Sequence, residues 1–576
     1  EGDFQSSMRS SSIAVSTSAT SSTYLSSMRD SESSIISQTS TRATTPDVVA
    51  YAPSHQSSSS DVSLSITQAA LTEDVDDGES KILEKTFAHE LIINKEGQIA
   101  GGSLPALVER LTTHASTPDA MFVSTFYLTF RLFVSPVMFA EALVERFDYV
   151  AESPHIANPV RLRVYNIFKG WLESHWRNSS DFEALAVIAD FAQGKLSTVL
   201  PGAGRRLLEL VHKVPATEDS LVPRLVSAMG KTGTSDSQYL SQETPMPPPV
   251  ISKSQTSALR NWKMGGICPS ILEFDCLELA RQLTIKEMNI FSSILPEELL
   301  ASEWTKNQGS NAPNVRAMST IATDLSNLVA ETILHHEDAK RRATVIKHWI
   351  KIAYSCVELN NYDSLMAIIC SLNSSIIGRL KKTWPLVSQK RKDMLKELQE
   401  IVDPSKNCSI LRARLQNHVP PCLPFVGTYL TDLTFVDAGN LATKQLPGLN
   451  GEEGTSVINF DKHTRTAKII GELQRFQIPY RLIEVPELQE WLQAQIDRVR
   501  CSSDSNNVEQ YYRKSLRLEP RVILQRTSPI YQQGSFAAQV PLLKEKEKFD
   551  LFSWAHSKEK ADKIIIGPSA SPSLPT

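Results

Sequence analysis

Apolar residues recur along the middle of this chain at the three- and four-residue intervals of helices, and strand-like alternation is short and rare. Phe122, Phe126, Phe130 and Phe133 follow one another at spacings of four, four and three, so they share one helical face. Thr117-Pro118-Asp119 ahead of them reads as an N-cap, an N1 proline and an acidic first turn. Ser135-Pro136 restarts the pattern, with Phe139, Leu143 and Phe147 on the next face. Such an aromatic stripe is core packing. Further on, Val345, Ile346, Trp349, Ile350, Ala353, Cys356 and Val357 define another broad face. Asp403-Pro404 and Val485-Pro486 open later helices, the second carrying Leu488, Trp491, Leu492 and Ile496. The pattern predicts an all-α protein.

Three segments lack that periodicity. Residues 1–80 are rich in Ser and Thr and close on the acidic run Glu73-Asp74-Val75-Asp76-Asp77, which predicts disorder because too little apolar surface offsets the chain entropy. Residues 216–265 shift to Thr, Ser, Gln and Pro, with Pro247-Pro248-Pro249, and read as a flexible linker. Residues 522–576 form a tail whose Lys/Glu-rich piece, Leu543 to Lys548, precedes Phe549, Leu551, Phe552 and Trp554. This is either a docking helix or a solvated tail. The ordered blocks are then 81–215 and 266–521, the second large enough for one extensive core.

Composition mostly excludes. Lys plus Arg number 60 and Asp plus Glu 64, a formal charge of -4, without the basic excess a nucleic-acid-binding domain shows. No apolar run reaches the length of a membrane span. The seven cysteines contain no C-x-x-C pair, which points to reduced thiols and a cytoplasmic address. Because the first residue is Glu1 and a Ser-rich stretch follows, the chain is expected to be part of a longer protein; its end carries no prenylation box. Phosphate-binding glycine loops, nucleophile elbows and zinc-protease motifs do not occur in the sequence. The pair His335-His336 is metal-like only in composition, since neighbours on a helix point about 100° apart. Arg341-Arg342-Ala343-Thr344 resembles a kinase recognition string but falls inside a predicted helix. The expectation is a binding function with no cofactor, no metal and no covalent chemistry.

Longer strings carry a resemblance. Leu372-Asn373-Ser374-Ser375-Ile376-Ile377-Gly378-Arg379-Leu380-Lys381-Lys382-Thr383-Trp384 closely resembles a signature of the catalytic domain of Ras-family guanine nucleotide exchange factors. So do Pro420-Pro421-Cys422-Leu423-Pro424-Phe425 with Tyr429 to Leu433, and Ile458-Asn459-Phe460 with Lys468 to Gln474. Leu277 to Thr284 is similar to that domain's opening, and Ser515 to Arg521 to its close. Gly102 to Leu111 and Ser124 to Arg131 resemble the Ras exchanger motif (REM) domain that accompanies it. The likeness runs through 81–521 in order and is closest to fungal members.

The resemblance implies a helical REM domain, then an all-helical catalytic bowl with a protruding helical hairpin. The hairpin would open the nucleotide site of a Ras-family small GTPase, and the bowl would hold the nucleotide-free form. An inactive GTPase-binding scaffold of the same fold is the alternative. The hairpin's first helix should run from Phe425 to Ala438 and stop at Gly439-Asn440, packing on Val426, Tyr429, Leu430, Leu433 and Val436. Its other face would present Thr431, Thr434 and Ala438 to the GTPase. Some members carry leucine and glutamate where Thr434 and Ala438 stand, and Asp437 is then the nearest carboxylate. Cys408 stands where tyrosine is usual. Asn373 and Ser375 match contact residues, with Met318, Thr320, Cys408 and Phe425 on the same surface; Asn373 also reads as a simple helix-end cap. Arg379 reads as structural, and the REM domain as a brace for the hairpin. The implied setting is the cytoplasm, with recruitment to the inner face of a membrane through the GTPase or through regions beyond this chain.

Overall fold

The computed structural model describes residues 87–149, 154–216, 246–306, 311–446, 454–501 and 507–520, all within one unit spanning Val75–Thr576. The Ser-rich beginning and the Lys/Glu-rich end lie outside the described residues.

Two cores organise the chain. The first opens with a short β-hairpin, β1 (Leu91–Ile93) and β2 (Ile99–Gly102), antiparallel to each other. Helix α1 (Leu104–Leu111) follows, its first turn closed by the Ser103 hydroxyl accepting from the Ala106 amide at 3.2 Å. Helix α2 (Ala120–Thr129) carries the phenylalanine stripe. Its N-cap is Asp119, not Thr117, because one carboxylate accepts from both the Met121 and Phe122 amides. Phe122, Phe126 and Phe130 are buried and Phe133 half-buried. Against them pack Phe139, Leu143 and Phe147 of α3 (Pro136–Tyr149), then α4 (Pro154–Gly170), α5 (Ala184–Phe191) and α6 (Pro201–Lys213). Buried Asp181 locks this layer: it accepts from Arg131 Nε at 2.7 Å, Trp171 Nε1 at 2.8 Å and the Arg177 amide at 3.1 Å.

The second core begins inside the segment expected to be a flexible linker. Helix α7 (Lys253–Lys263) forms there because Ser252 and Gln255 make a reciprocal capping box, and Leu259 enters the core. The proline run ahead of it is tied down too, through Arg281 Nη1 to the Pro248 carbonyl at 3.0 Å. Then come α8 (Cys276–Ser292), α9 (Pro313–Leu334), α10 (Ala339–Glu358), α11 (Tyr362–Asn373), α12 (Gln389–Ile401) and α13 (Ser405–Asn417). Two helices, α14 (Val426–Gly439) and α15 (Phe460–Gln474), are joined through β3 (Thr443–Gln445) and β4 (Ser456–Ile458). Helices α16 (Pro486–Cys501) and α17 (Asn507–Leu518) complete the order. Helix α9 is the axis: α8, α10, α11, α16 and α17 all pack on it. On α10, Val345, Ile346, Trp349, Ile350, Ala353 and Cys356 are buried as their spacing predicts, and Val357 is half-buried. Leu488, Trp491, Leu492 and Ile496 of α16 are likewise buried. No helix among the described residues is long and apolar enough to cross a membrane.

The last of the described helices is latched by charge. Buried Arg342 donates to Glu519 Oε1 at 2.8 Å, Thr383 Oγ1 at 2.9 Å and the Glu337 carbonyl at 2.7 Å. Arg379 donates to the carbonyls of Ser515 at 2.6 Å and Glu519 at 2.7 Å, the structural role its surroundings predict. Removing one partner of a buried pair strands the other charge. Glu519→Ala should therefore lower unfolding free energy by about 3–5 kcal/mol in a denaturant titration. Arg513→Ala, which loses only an exposed pair with Glu509, should change it by less than about 1 kcal/mol.

Candidate functional site

Helices α14 and α15 pack side by side as a hairpin, here called the prong. Helix α14 ends as its sequence predicts: Asn440 is the C-cap, and its side chain donates to the Val436 carbonyl at 2.9 Å. Val426, Leu430 and Leu433 are buried and Tyr429 and Val436 half-buried, which is the expected packing face.

Another face of α14 borders an open, largely apolar cavity of about 1050 Å³. Thr428, Thr431 and Phe435, at spacings of three and four, line its prong side, and Phe425 lies at the base of that helix. The opposite wall comes from α11 (Met366, Cys370, Asn373), α12 (Lys396, Gln399) and the approach to α13 (Cys408). The threonine hydroxyls do not face this space unpaired. Thr428, Thr431 and Thr434 donate to the carbonyls of Phe425, Gly427 and Leu430 at 2.8–2.9 Å, so each offers chiefly its methyl group. Phe435 is 66% exposed, an unusual position for a large apolar ring.

The expected contact residues divide accordingly. Asn373, Cys408, Phe425 and Thr431 come together around the cavity. Asn373 caps nothing: its side-chain oxygen accepts from Gln399 Nε2, while Ser374 caps the following turn by accepting from the Ile377 amide at 3.3 Å. Ser375 is exposed beside it. Thr434 is half-buried and Ala438 exposed on α14, outside the cavity lining. Thr320 is exposed on α9, also outside that lining, its hydroxyl bonded to the Arg316 carbonyl at 2.9 Å. Met318 must be reassigned. It is 0% exposed, a core residue of α9 with no surface to offer a partner. Asp437 is not a free carboxylate either: Lys462 Nζ of α15 lies 2.9 Å from it, and the Ser302 hydroxyl donates at 3.2 Å. That pair clamps the two prong helices together. Phe435 is the residue missing from the sequence expectation, although it stands four residues from Thr431 and belongs to the same face.

The wall around Cys408 is strained. Lys406, Asn407 and Cys408 have φ of 50°, 57° and 54°, a left-handed turn without glycine, costing on the order of 1–2 kcal/mol per residue. It interrupts α13 where Asp403-Pro404 predicts a regular start. Arg412 holds the turn in place: Nε donates to the Asn407 carbonyl at 2.8 Å, and the guanidinium pairs with Asp432 of α14 at 2.6 Å.

The prong is rooted in the first core. The Phe460 ring, 1% exposed, lies 4.8 Å from Phe122 and 6.3 Å from Phe126, and the His463 ring lies tilted 4.9 Å from Phe133. The strands join as well. The four-stranded order is β1-β2-β4-β3, with Gly102 opposite Ile458. A Cβ at Gly101 would stand 2.8 Å from the Ile458 carbonyl, so that position requires glycine.

A mainly helical body with a helical hairpin beside an open cavity fits what the sequence strings imply, and comparison with known proteins bears on the family. The RasGEF domain model matches residues 278–464, and the RasGEF N-terminal motif matches 98–192. The chain belongs to the RasGEF family. Ras guanine nucleotide exchange factor A of Dictyostelium discoideum is 33% identical over 463 residues, covering 77% of this chain and 70% of that protein. Cell division control protein 25 of Saccharomyces cerevisiae is 31% identical, covering 76% of this chain and 28% of its own. Protein son of sevenless of Drosophila melanogaster is 27% identical over 73% of this chain and 27% of its own. The chain thus spans less than a third of two of these relatives and over two thirds of the other.

Burial depresses the His463 pKa to about 4, with help from neighbouring Lys462, so the ring is neutral at pH 7. Unfolding restores an ordinary value near 6.5, so the unfolded chain binds the extra proton between those pH values. Stability should fall as pH drops from about 6.5 to 4. His463→Gln should flatten that slope by up to about 1.4 kcal/mol per pH unit in denaturant titrations.

Proposed function

We propose that this chain is a guanine nucleotide exchange factor acting on a Ras-family small GTPase. The observation that carries the reading is the pairing of a rooted prong with an apolar cavity along its exposed face. The names of the relatives support it, since exchange of guanine nucleotide on Ras is what one of them is named for.

The mechanism needs no covalent step. A small GTPase with picomolar affinity holds GDP by about 16 kcal/mol, so unassisted release is slow. A protein that binds the empty GTPase better than the loaded one must, by linkage, weaken nucleotide binding by the same factor. The prong face would displace one loop of the nucleotide site, while the cavity and the Asn373–Gln399 rim take up another in a form that excludes nucleotide. Because Asp437 is paired with Lys462, the displacement rests on apolar bulk, with Phe435 as its largest element. Mimicry of phosphate by Asp437 plays no part in it. We place this action at the cytoplasmic face of a membrane, where a lipid-anchored GTPase would present itself.

Release of a fluorescent GDP analogue from a panel of Ras-family GTPases tests the reading. Acceleration by the wild-type chain is expected for at least one of them. Phe435→Ala and Asn373→Ala should each lower the catalytic efficiency about tenfold or more, near 1.4 kcal/mol of lost transition-state binding. Tight binding to the nucleotide-free GTPase without acceleration would identify a scaffold instead. No acceleration and no binding would overturn both.

A further inference from the structure

Beside the first turn of α14 lies a pair of acids without a base. Glu287 on α8 and Asp363 in the first turn of α11 are both 0% exposed. Glu287 Oε2 accepts from Asn361 Nδ2 at 2.8 Å and Ser364 Oγ at 2.6 Å, while Oε1 has no partner. Neither oxygen of Asp363 completes a hydrogen bond. The elements packed around them supply Asn361, Ser364, Thr284 and the Cys356 thiol of α10, none of them cationic. Burial keeps that thiol protonated by driving its pKa well upward.

The surroundings couple this pair to the prong. Tyr362, next to Asp363, donates its amide to the Leu423 carbonyl at 2.9 Å, and the Leu423 amide donates to Asn360 at 3.0 Å. The Val426 amide, first in α14, lies against Asp363 without completing a hydrogen bond, and its dipole favours the anion. Two carboxylates taken out of water together, with no cation beside them, repel each other and forfeit their solvation, so they cannot both stay ionised. We propose that Glu287 and Asp363 are positioning residues: a carboxylic acid pair that retains at least one proton at neutral pH and thereby seats the start of the prong helix. Burial acts in the same direction on each, raising Glu287 to about 7 and Asp363 well above the usual carboxylate range.

The sign follows from linkage. A carboxyl whose pKa is higher folded than unfolded stabilises less as pH rises, because the unfolded chain has already released its proton. Charging the second acid then places repulsion beneath α14. Asp363→Asn keeps the shape and removes the need for that proton.

The full chain should be compared with Asp363→Asn and Glu287→Gln by thermal unfolding from pH 6.5 to 9, above the range in which His463 titrates. The wild-type melting temperature should fall more steeply with pH, opening a gap of about 2–4 °C in favour of Asp363→Asn by pH 8.5. In heavy water at pH 7.5 the wild-type infrared spectrum should contain a protonated-carboxyl stretching band that either substitution weakens. Nucleotide release by Asp363→Asn, relative to wild type, should rise between pH 6.5 and 8.5. This last readout alone rests on the proposed exchange activity: a wild-type chain inert on every GTPase would sink that activity, while melting and infrared still decide the pair. Absence of the infrared band, or parallel pH profiles for the wild type and the folded variants, would overturn the proposal. Should one variant fail to fold, the other and the wild-type spectrum give the answer.

Discussion

Everything the prong can do depends on where Phe460 is buried. The ring belongs by sequence to the second core but sits among Phe122 and Phe126 of the first. A buried phenylalanine contributes several kilocalories per mole, with cavity costs of about 3–5 kcal/mol on truncation. That energy acts on the orientation of α15, and through the Asp437–Lys462 pair on α14 as well. A helical hairpin held only at its own base would swing under load. This one is gripped by a second body, so force applied at Phe435 meets a fixed lever.

The exposed face of the prong is apolar because its polar groups are turned inward or paired. Three threonines return their hydroxyls to the helix backbone, and the Asp437 carboxylate is held in an internal ion pair. What remains is methyl and phenyl surface beside an apolar cavity. Such a surface gains by desolvation and shape and is little affected by ionic strength. The left-handed turn at 406–408 has the opposite character, a locally unfavourable backbone maintained by Arg412. Strain of this sort persists only where the surroundings over-determine it, which fits a wall that must hold its place.

The helices were legible because their apolar spacing is regular. Phe122, Phe126 and Phe130, the α10 face and both ends of α14 all follow from periodicity and capping chemistry. Helix α7 was hidden because a single buried Leu259 gives no period, although its Ser252–Gln255 box was there to be read. Strands of three and four residues are too short to show alternation, so the shared sheet could not be anticipated. Within the candidate site, spacing grouped Thr431 with Thr434 and Ala438, whereas the cavity is bordered by Thr428, Thr431 and Phe435, a neighbouring strip of α14 that shares only Thr431 with the expected one. Met318 failed because sequence fixes a helix but not which side of it meets solvent. The Lys462 partner of Asp437 is 25 residues distant and only the fold brings it near. In Lys406-Asn407-Cys408 only Asn407 favours positive φ, too weak a signal for three such residues in a row.

The mixed strand order, with two strands from each core, bears on how such proteins can be inherited. A gene segment encoding residues from α8 onward would carry β3 and β4 with an unpaired edge at Ile458 and an uncovered Phe460, both invitations to misassembly. Shuffling the later core into a new context would therefore succeed only with the earlier one, or with a substitute offering both a strand edge and an aromatic socket. The unit that evolution can transplant is thus larger than either core, because the border between the cores runs through the middle of a sheet.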